Sequence, residues 1–236
     1  MSLANQPAQR DDYEQFFAEL ESRLSAISHS DEAVNVIESA VSERFKKTAQ
    51  RQIAFAQPGS ICLEPIMYED ALADGRIAAD EDRFFVLQAD VITTESSYFF
   101  GERRTGTPLF AVLNSTCDLV PGTRDYASLL RVHPIVGDGD ALKSVLHQLL
   151  SFRSRRDLYL PPLPGENSPT LGYSVRFDGI AQIRLDDLLL ARRLCSLSLV
   201  GWRIFGSFAR VLISRTGARE ARLRTGRSDG QRTQTS

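Results

Sequence analysis

Over the first fifty residues the apolar positions recur at helical spacing. Tyr13, Phe16, Phe17, Leu20, Leu24 and Ile27 form a one-sided stripe, the pattern of a helix that buries one face. His29 and Ser30 interrupt it. Ser30 is suited to capping a second helix, and Asp31 and Glu32 follow where negative charge complements the helix dipole. Val34, Ile37, Val41 and Phe45 then share one face, with Lys46, Lys47 and Arg51 near the end. The spacing predicts an N-terminal helical hairpin over residues 1–52.

From Ile53 the texture changes to short apolar runs separated by turn residues. Ser60 to Pro65, Phe84 to Ile92, Ser97 to Phe100, Pro108 to Leu113 and Ala127 to Val132 read as strands. Their close spacing predicts a small β-barrel or strongly bent sheet over residues 53–137. Leu142, Val145, Leu146, Leu149 and Leu150 return to helical spacing within 138–157. The proline-rich run 160–169 excludes regular structure, because proline lacks the N–H donor and fixes φ. Asp178-Gly179, between residues 172–177 and 180–185, has the chemistry of a tight hairpin turn. A long amphipathic helix is expected from Asp186, with Leu194, Leu197, Ile204, Phe205, Phe208, Val211 and Leu212 in one arc. Arg192, Arg203 and Arg210 then lie on its opposite side, and Trp202 packs at its edge. These elements, residues 138–215, complete the barrel domain. From Thr216 apolar residues almost vanish, which predicts a disordered basic tail over 216–236. The fold class expected is α+β: helical hairpin, central small β-barrel, long C-terminal amphipathic helix.

Composition narrows the setting. At 236 residues roughly 70% of the unfolded chain's surface can be buried, so a core forms without disulfide or metal staples. The three cysteines, Cys62, Cys117 and Cys195, are scattered and odd in number, as suits a reducing cytoplasm better than a secreted disulfide framework. The polar start has no apolar run of signal-peptide type. Leu194 to Ile213 is apolar, but Arg203 and Arg210 would each cost about 3 kcal/mol at a bilayer centre. A soluble cytoplasmic protein without a membrane partner is expected. Charge is unevenly spread. Residues 1–87 hold 8 Lys and Arg against 16 Asp and Glu, whereas residues 151–236 hold 15 against 7. Either the two blocks attract one another, within the chain or across a homodimer, or the basic end meets an anion such as nucleic acid. Opposite blocks of equal size need no outside partner, which favours the internal pairing.

The most distinctive local feature is the run from Phe110 to Gly122, where an apolar strand leads into Asn114-Ser-Thr-Cys-Asp118. Side chains just beyond a buried strand are held in place, and binding and catalytic groups commonly stand there. Cys117 is a candidate nucleophile if a cation such as His133, Arg103 or Arg104 lowers its pKa, with Asp118 opposing that effect. The competing reading makes Cys117 a small buried residue and Asp118 a turn former, and the frequent burial of free cysteine favours it. His29, His133 and His147 show no zinc spacing with the cysteines, and no phosphate loop or dinucleotide fingerprint occurs. No metal or cofactor is expected.

Gln88-Ala-Asp-Val-Ile92, the strand at 109–113, Ser115-Thr-Cys-Asp-Leu119 and the strand ending in His133-Pro-Ile135 together resemble a PemK/MazF-type small barrel, over about residues 84–136. The resemblance implies an SH3-like fold and the ribonuclease activity of such toxins, and the Ser115 to Leu119 run is also similar to uncharacterised bacterial proteins of phage-defence or mobile-element settings, so a defence or toxin–antitoxin role is expected. Such toxins carry an Arg just before the Pro that opens the central strand, where this chain has Thr107 before Pro108. That departure favours nucleic-acid binding over cleavage, and leaves open whether the chain is an enzyme. The residues expected at the site are Cys117 and Asp118 as catalytic groups, with Ser115, Arg103, Arg104, His133, Arg192, Arg203 and Arg210 in binding. The alternative function is a non-catalytic interaction module that meets a protein partner through the acidic N-terminal helices.

Overall fold

Ser30 does cap a helix: its hydroxyl accepts the Ala33 N–H at 3.4 Å, and α2 runs Asp31–Arg44 behind it. In this computed structural model, which describes residues 7–96, 108–154, 156–163 and 170–213, α1 (Pro7–Leu24) and α2 form the expected hairpin. The second helix ends earlier than its apolar face suggests. Phe45 is extended, and a separate helix α3 (Thr48–Phe55) starts with the Lys47 N–H donating to Gln50 Oε1 at 3.0 Å. Arg51 fastens this corner, donating to the carbonyls of Phe45 and Leu150 and to the Ser42 hydroxyl.

The remaining elements in chain order are β1 (Cys62–Leu63), α4 (Tyr68–Ala73), β2 (Val91–Thr93), β3 (Leu109–Val112), β4 (Tyr126–Pro134), α5 (Gly139–Leu150), β5 (Asp157–Leu160), β6 (Tyr173–Arg184), α6 (Leu185–Leu189), β7 (Arg192–Leu197) and α7 (Leu199–Ile213). The strands form one antiparallel sheet of order β1-β7-β2-β3-β4-β6-β5. As its pattern predicts, β3 is a strand: Leu109 pairs with Val132 and Val112 with Leu129. The chain is thus mixed α and β, but the small closed barrel of residues 53–137 is replaced by a larger open sheet drawing strands from both ends of the chain. Its edge strands β1 and β5 do not pair. Leu63 of β1 and Pro161 and Pro162 beyond β5 instead line one cleft, and the two prolines offer no N–H for a ladder.

Two apolar clusters hold the sheet. The larger joins α1, α2, α3, α5 and α7 to one face, with Phe177 of β6 packed on Phe205 and Phe208 of α7 at ring distances of 5.4 and 5.7 Å. The smaller covers the other face, where Ile92, Phe110, Val112, Leu129 and Ile183 meet Leu119 and α6. The acidic N-terminal block and the basic C-terminal block do touch within the chain, though through backbone. Arg203 and Arg210 of α7 donate to the carbonyls of Ser25 and His29, at and beyond the end of α1, at 3.5 and 3.0 Å. There the positive charge suits the helix end. His29 packs edge-on against Trp202, and burial pushes its imidazole below the ordinary value, with the nearby Arg203 charge adding to the effect.

Three expectations need correction. Asp178-Gly179 does not close a hairpin. It lies in a bulge of one long strand, where the partners of Leu130 and Arg131 jump from Ile180 to Arg176. The inserted residues switch the inward side of β6, so that Val175 and Phe177 enter the larger cluster and Ala181 and Ile183 the smaller. The long C-terminal helix is broken. Residues Arg192–Leu197 form an interior strand between β1 and β2, and apolar runs of that length are ambiguous between strand and helix. Arg192 therefore does not share a helix face with Arg203 and Arg210. Finally, only the last two residues of the expected strand 84–92 lie in a strand, β2, because the backbone before it turns around Asp90. The expected strand at 97–100 and the tail at 216–236 lie outside the described residues.

Candidate functional site

The end of β3 is built by its own side chains. The Leu113 N–H donates to Ser128 O at 2.9 Å, and Asn114 Oδ1 then accepts the Ser128 N–H at 2.6 Å, taking the place of a backbone carbonyl. The chain next winds into a single 3-10 turn, Thr116–Leu119. Buried Leu119 anchors this turn in the smaller cluster, and the Asp118 N–H closes it on Ser115 O at 3.0 Å. With Leu119 facing in, Cys117 faces out. It is exposed, and its Sγ lies 3.2 Å from the Ser115 hydroxyl. Burial of Cys117, the reading that residue statistics favour, is overturned. Asp118 turns to Arg124, whose Nη2 lies 2.5 Å from Oδ1, while the Thr123 hydroxyl caps the carbonyls of Asp118 and Val120.

The second segment singled out in the sequence, Gln88-Ala-Asp90, meets this turn in space. The Gln88 N–H donates to Thr116 Oγ1 and its Nε2 to Leu113 O, both at 3.0 Å. Its Oε1 accepts the indole N–H of Trp202 at 3.1 Å, so one carboxamide links the turn to α7. Ala89 has φ of 72° and no exposure, a left-handed conformation costly for a residue with a Cβ and seldom kept without a surrounding that enforces it. That surrounding is Asp90. Its fully buried carboxylate accepts the Leu87 N–H at 2.9 Å, Arg193 Nε at 2.7 Å and the Ser196 hydroxyl at 2.6 Å. Arg193 also donates to Ile66 O at 2.7 Å. Burial pushes the Asp90 carboxyl up from its ordinary value, and the Arg193 charge and the hydrogen bonds from Ser196 and Leu87 pull it back.

Between these groups lies a cavity of about 260 Å³, lined among others by Gln88, Asp90, Thr116, Ser198 and Trp202. Gln88, Asp90 and Trp202 were not expected at the site. The repeated polar insertion in an otherwise apolar run was the signal for Gln88 and Asp90. The partnership with Arg193 spans 103 positions and left no local trace.

The other expected site residues do not converge here. His133 lies on β4 five residues beyond Ser128, roughly 17 Å along the strand at about 3.4 Å per residue, so it is no base or cation for Cys117. Arg192 pairs with Thr93 at the far edge of β2, and Arg203 and Arg210 are engaged with the α1–α2 connection. Arg103 and Arg104 lie outside the described residues. Among the described residues no group of His, Cys, Asp or Glu is arranged to hold a metal ion, and no helix is long and apolar enough to cross a membrane. The exposed thiol has a direct consequence. Iodoacetamide is expected to modify native Cys117 well before Cys62 and Cys195, which are buried, and Cys117→Ser to leave the melting temperature nearly unchanged. Mass spectrometry of a timed alkylation checks the order.

Compared with known proteins, the chain matches no family model, no curated protein and no solved structure.

Proposed function

We propose that the chain binds single-stranded nucleic acid at the Ser115–Asp118 turn and the cavity beneath it, holding the strand without cutting it, with an open sheet in place of the closed PemK/MazF-type barrel. The observation that carries this reading is the meeting of the two resemblance-bearing segments around one small cavity with an aromatic wall. Trp202, on which His29 and Arg203 also pack, gives the cavity an aromatic lining for a base to contact, and the Gln88 carboxamide and Thr116 hydroxyl offer polar groups beside it. Arg124 stands beside the turn, half-exposed and paired to the half-exposed Asp118. A phosphate can compete for such a guanidinium at little cost, since exposed pairs are worth about 0–1 kcal/mol.

The thiol's described neighbours favour binding over cleavage. Cleavage of RNA requires a general base within hydrogen-bond reach of the attacking hydroxyl. The partner of Cys117 is the Ser115 hydroxyl, which is no base at neutral pH. His147 bonds to Thr48 and His29 packs under α7, so neither imidazole stands beside the thiol.

Fluorescence anisotropy with a labelled single-stranded RNA tests the reading. Affinity is expected to fall linearly with salt on logarithmic axes, and Arg124→Gln to reduce that slope by about 1. The RNA should be recovered intact. Absence of binding at low salt, or cleavage that Cys117→Ser abolishes, would overturn it.

A further inference from the structure

A second cleft, of about 560 Å³, opens at the other end of the sheet between α5 and the strands β4, β6 and β5. It lies beside His133, far from the Ser115–Asp118 turn, and does not depend on the reading of that turn. Its two walls differ in chemistry. Leu142 and Val145 of α5 and Val136 before it form an apolar wall, yet Val145 is 47% and Val136 73% exposed. The facing wall is polar and carries both signs of charge. Ser174 and Ser154 each donate to the Asp157 carboxylate at 3.3 Å, one to each oxygen, and fix its position. Arg176, opposite Asp157 in the β5–β6 ladder, forms with it a loose ion pair, Nε to Oδ1 at 3.8 Å, too long for a hydrogen bond and with both side chains partly open to solvent. Asp138, at the start of α5, is the other acidic group lining the cleft. Directly across the ladder from Arg176 is Arg131, and like charges so opposed normally disfavour a sheet. The bulge after Arg176 sets that alignment, and bulges are frequent where a strand re-aims a side chain beside a site.

We propose that this cleft binds a zwitterion bearing an apolar side group, namely a free apolar α-amino acid. The ammonium group meets Asp157, the carboxylate meets Arg176, and the side group covers Val136, Leu142 and Val145. A simple anion would face Asp157 and a simple cation would face Arg176, whereas a zwitterion completes both. The cleft has the size usual for small-molecule sites, with one apolar side and a few convergent polar groups.

Calorimetry and thermal melting with L-phenylalanine test the assignment, with N-acetyl-L-phenylalanine lacking the ammonium and L-phenylalaninamide lacking the carboxylate. Phenylalanine is expected to raise the melting temperature in a concentration-dependent way, and each single-charge analogue to bind roughly tenfold more weakly or worse. Arg176→Gln and Asp157→Asn should each weaken phenylalanine by a similar factor. Val145→Asp, at a position exposed enough to keep the fold, should abolish binding. Equal binding of either analogue, binding that survives Val145→Asp, or no binding of phenylalanine at millimolar concentration would overturn the proposal.

Discussion

Replacing Asp90 with alanine is expected to destabilise the protein by about 3–5 kcal/mol, the cost of leaving a buried charge without its partner. The partner is Arg193, whose side chain is 11% exposed against 0% for Asp90, at 2.7 Å. Alanine also strands the Ser196 hydroxyl and the Leu87 N–H, which both donate to the same carboxylate. The loss would be a large part of a typical domain's stability of about 5–15 kcal/mol. Chemical denaturation measures it, and a double-mutant cycle identifies its cause. Asp90→Ala with Arg193→Ala should cost clearly less than the two single changes added together, because the second removes the charge that the first left bare. Additive costs would mean that the two side chains act separately. Gln88 sits on the same loop as Asp90 and bonds to Thr116 and Trp202 across the site, so the Asp90 variant should also loosen the cavity and release Trp202 from its hydrogen bond.

Gly172→Ala is expected to cost about 3 kcal/mol, for two reasons that act at one atom. Gly172 has φ of +135°, which residues with a Cβ rarely adopt, and an added Cβ would lie 2.5 Å from Leu160 O and 2.8 Å from the Tyr159 ring. The carbonyl belongs to β5 and cannot swing aside as a side chain could. The Gly172 carbonyl in turn accepts the Ile135 N–H at 2.9 Å, so strain there reaches the end of β4. Gly75→Ala supplies the comparison. Its φ is also positive, at +67°, but nothing stands near its Cβ, so that variant should show the backbone cost alone. Thermal melts of the two proteins separate strain from collision.

The legible parts of the fold were those decided locally. Ser30 before Asp31 and Glu32 announced α2 through capping chemistry, and the stripe from Tyr13 to Leu24 announced α1. β3 and β4 followed from apolar runs bounded by turn residues. What escaped was decided by distant partners. Residues Arg192–Leu197 are a strand because β1 and β2 flank them, and no spacing within the run separates that outcome from a helix. Asp178-Gly179 has turn chemistry in either setting. Pairing with β4 on both sides of it makes the difference between a hairpin and a bulge. At the site, the position of Cys117 beyond β3 was legible. Its exposure was not, because that depends on Leu119 taking the inward position of the four-residue 3-10 turn. The buried pair of Asp90 and Arg193 was invisible for a simpler reason, since each looks like an ordinary charged residue until the strands bring them together.

Protection of Cys117 from alkylation by bound RNA tests the central claim most directly. The rate of iodoacetamide modification at Cys117 would be followed by mass spectrometry with and without a saturating single-stranded RNA, at low and at high salt. The account predicts that RNA slows the reaction at Cys117 several-fold, that raising the salt restores the free rate, and that Cys62 and Cys195 stay unreactive throughout. RNA that binds, as judged by anisotropy, while Cys117 reacts at its free rate would contradict it.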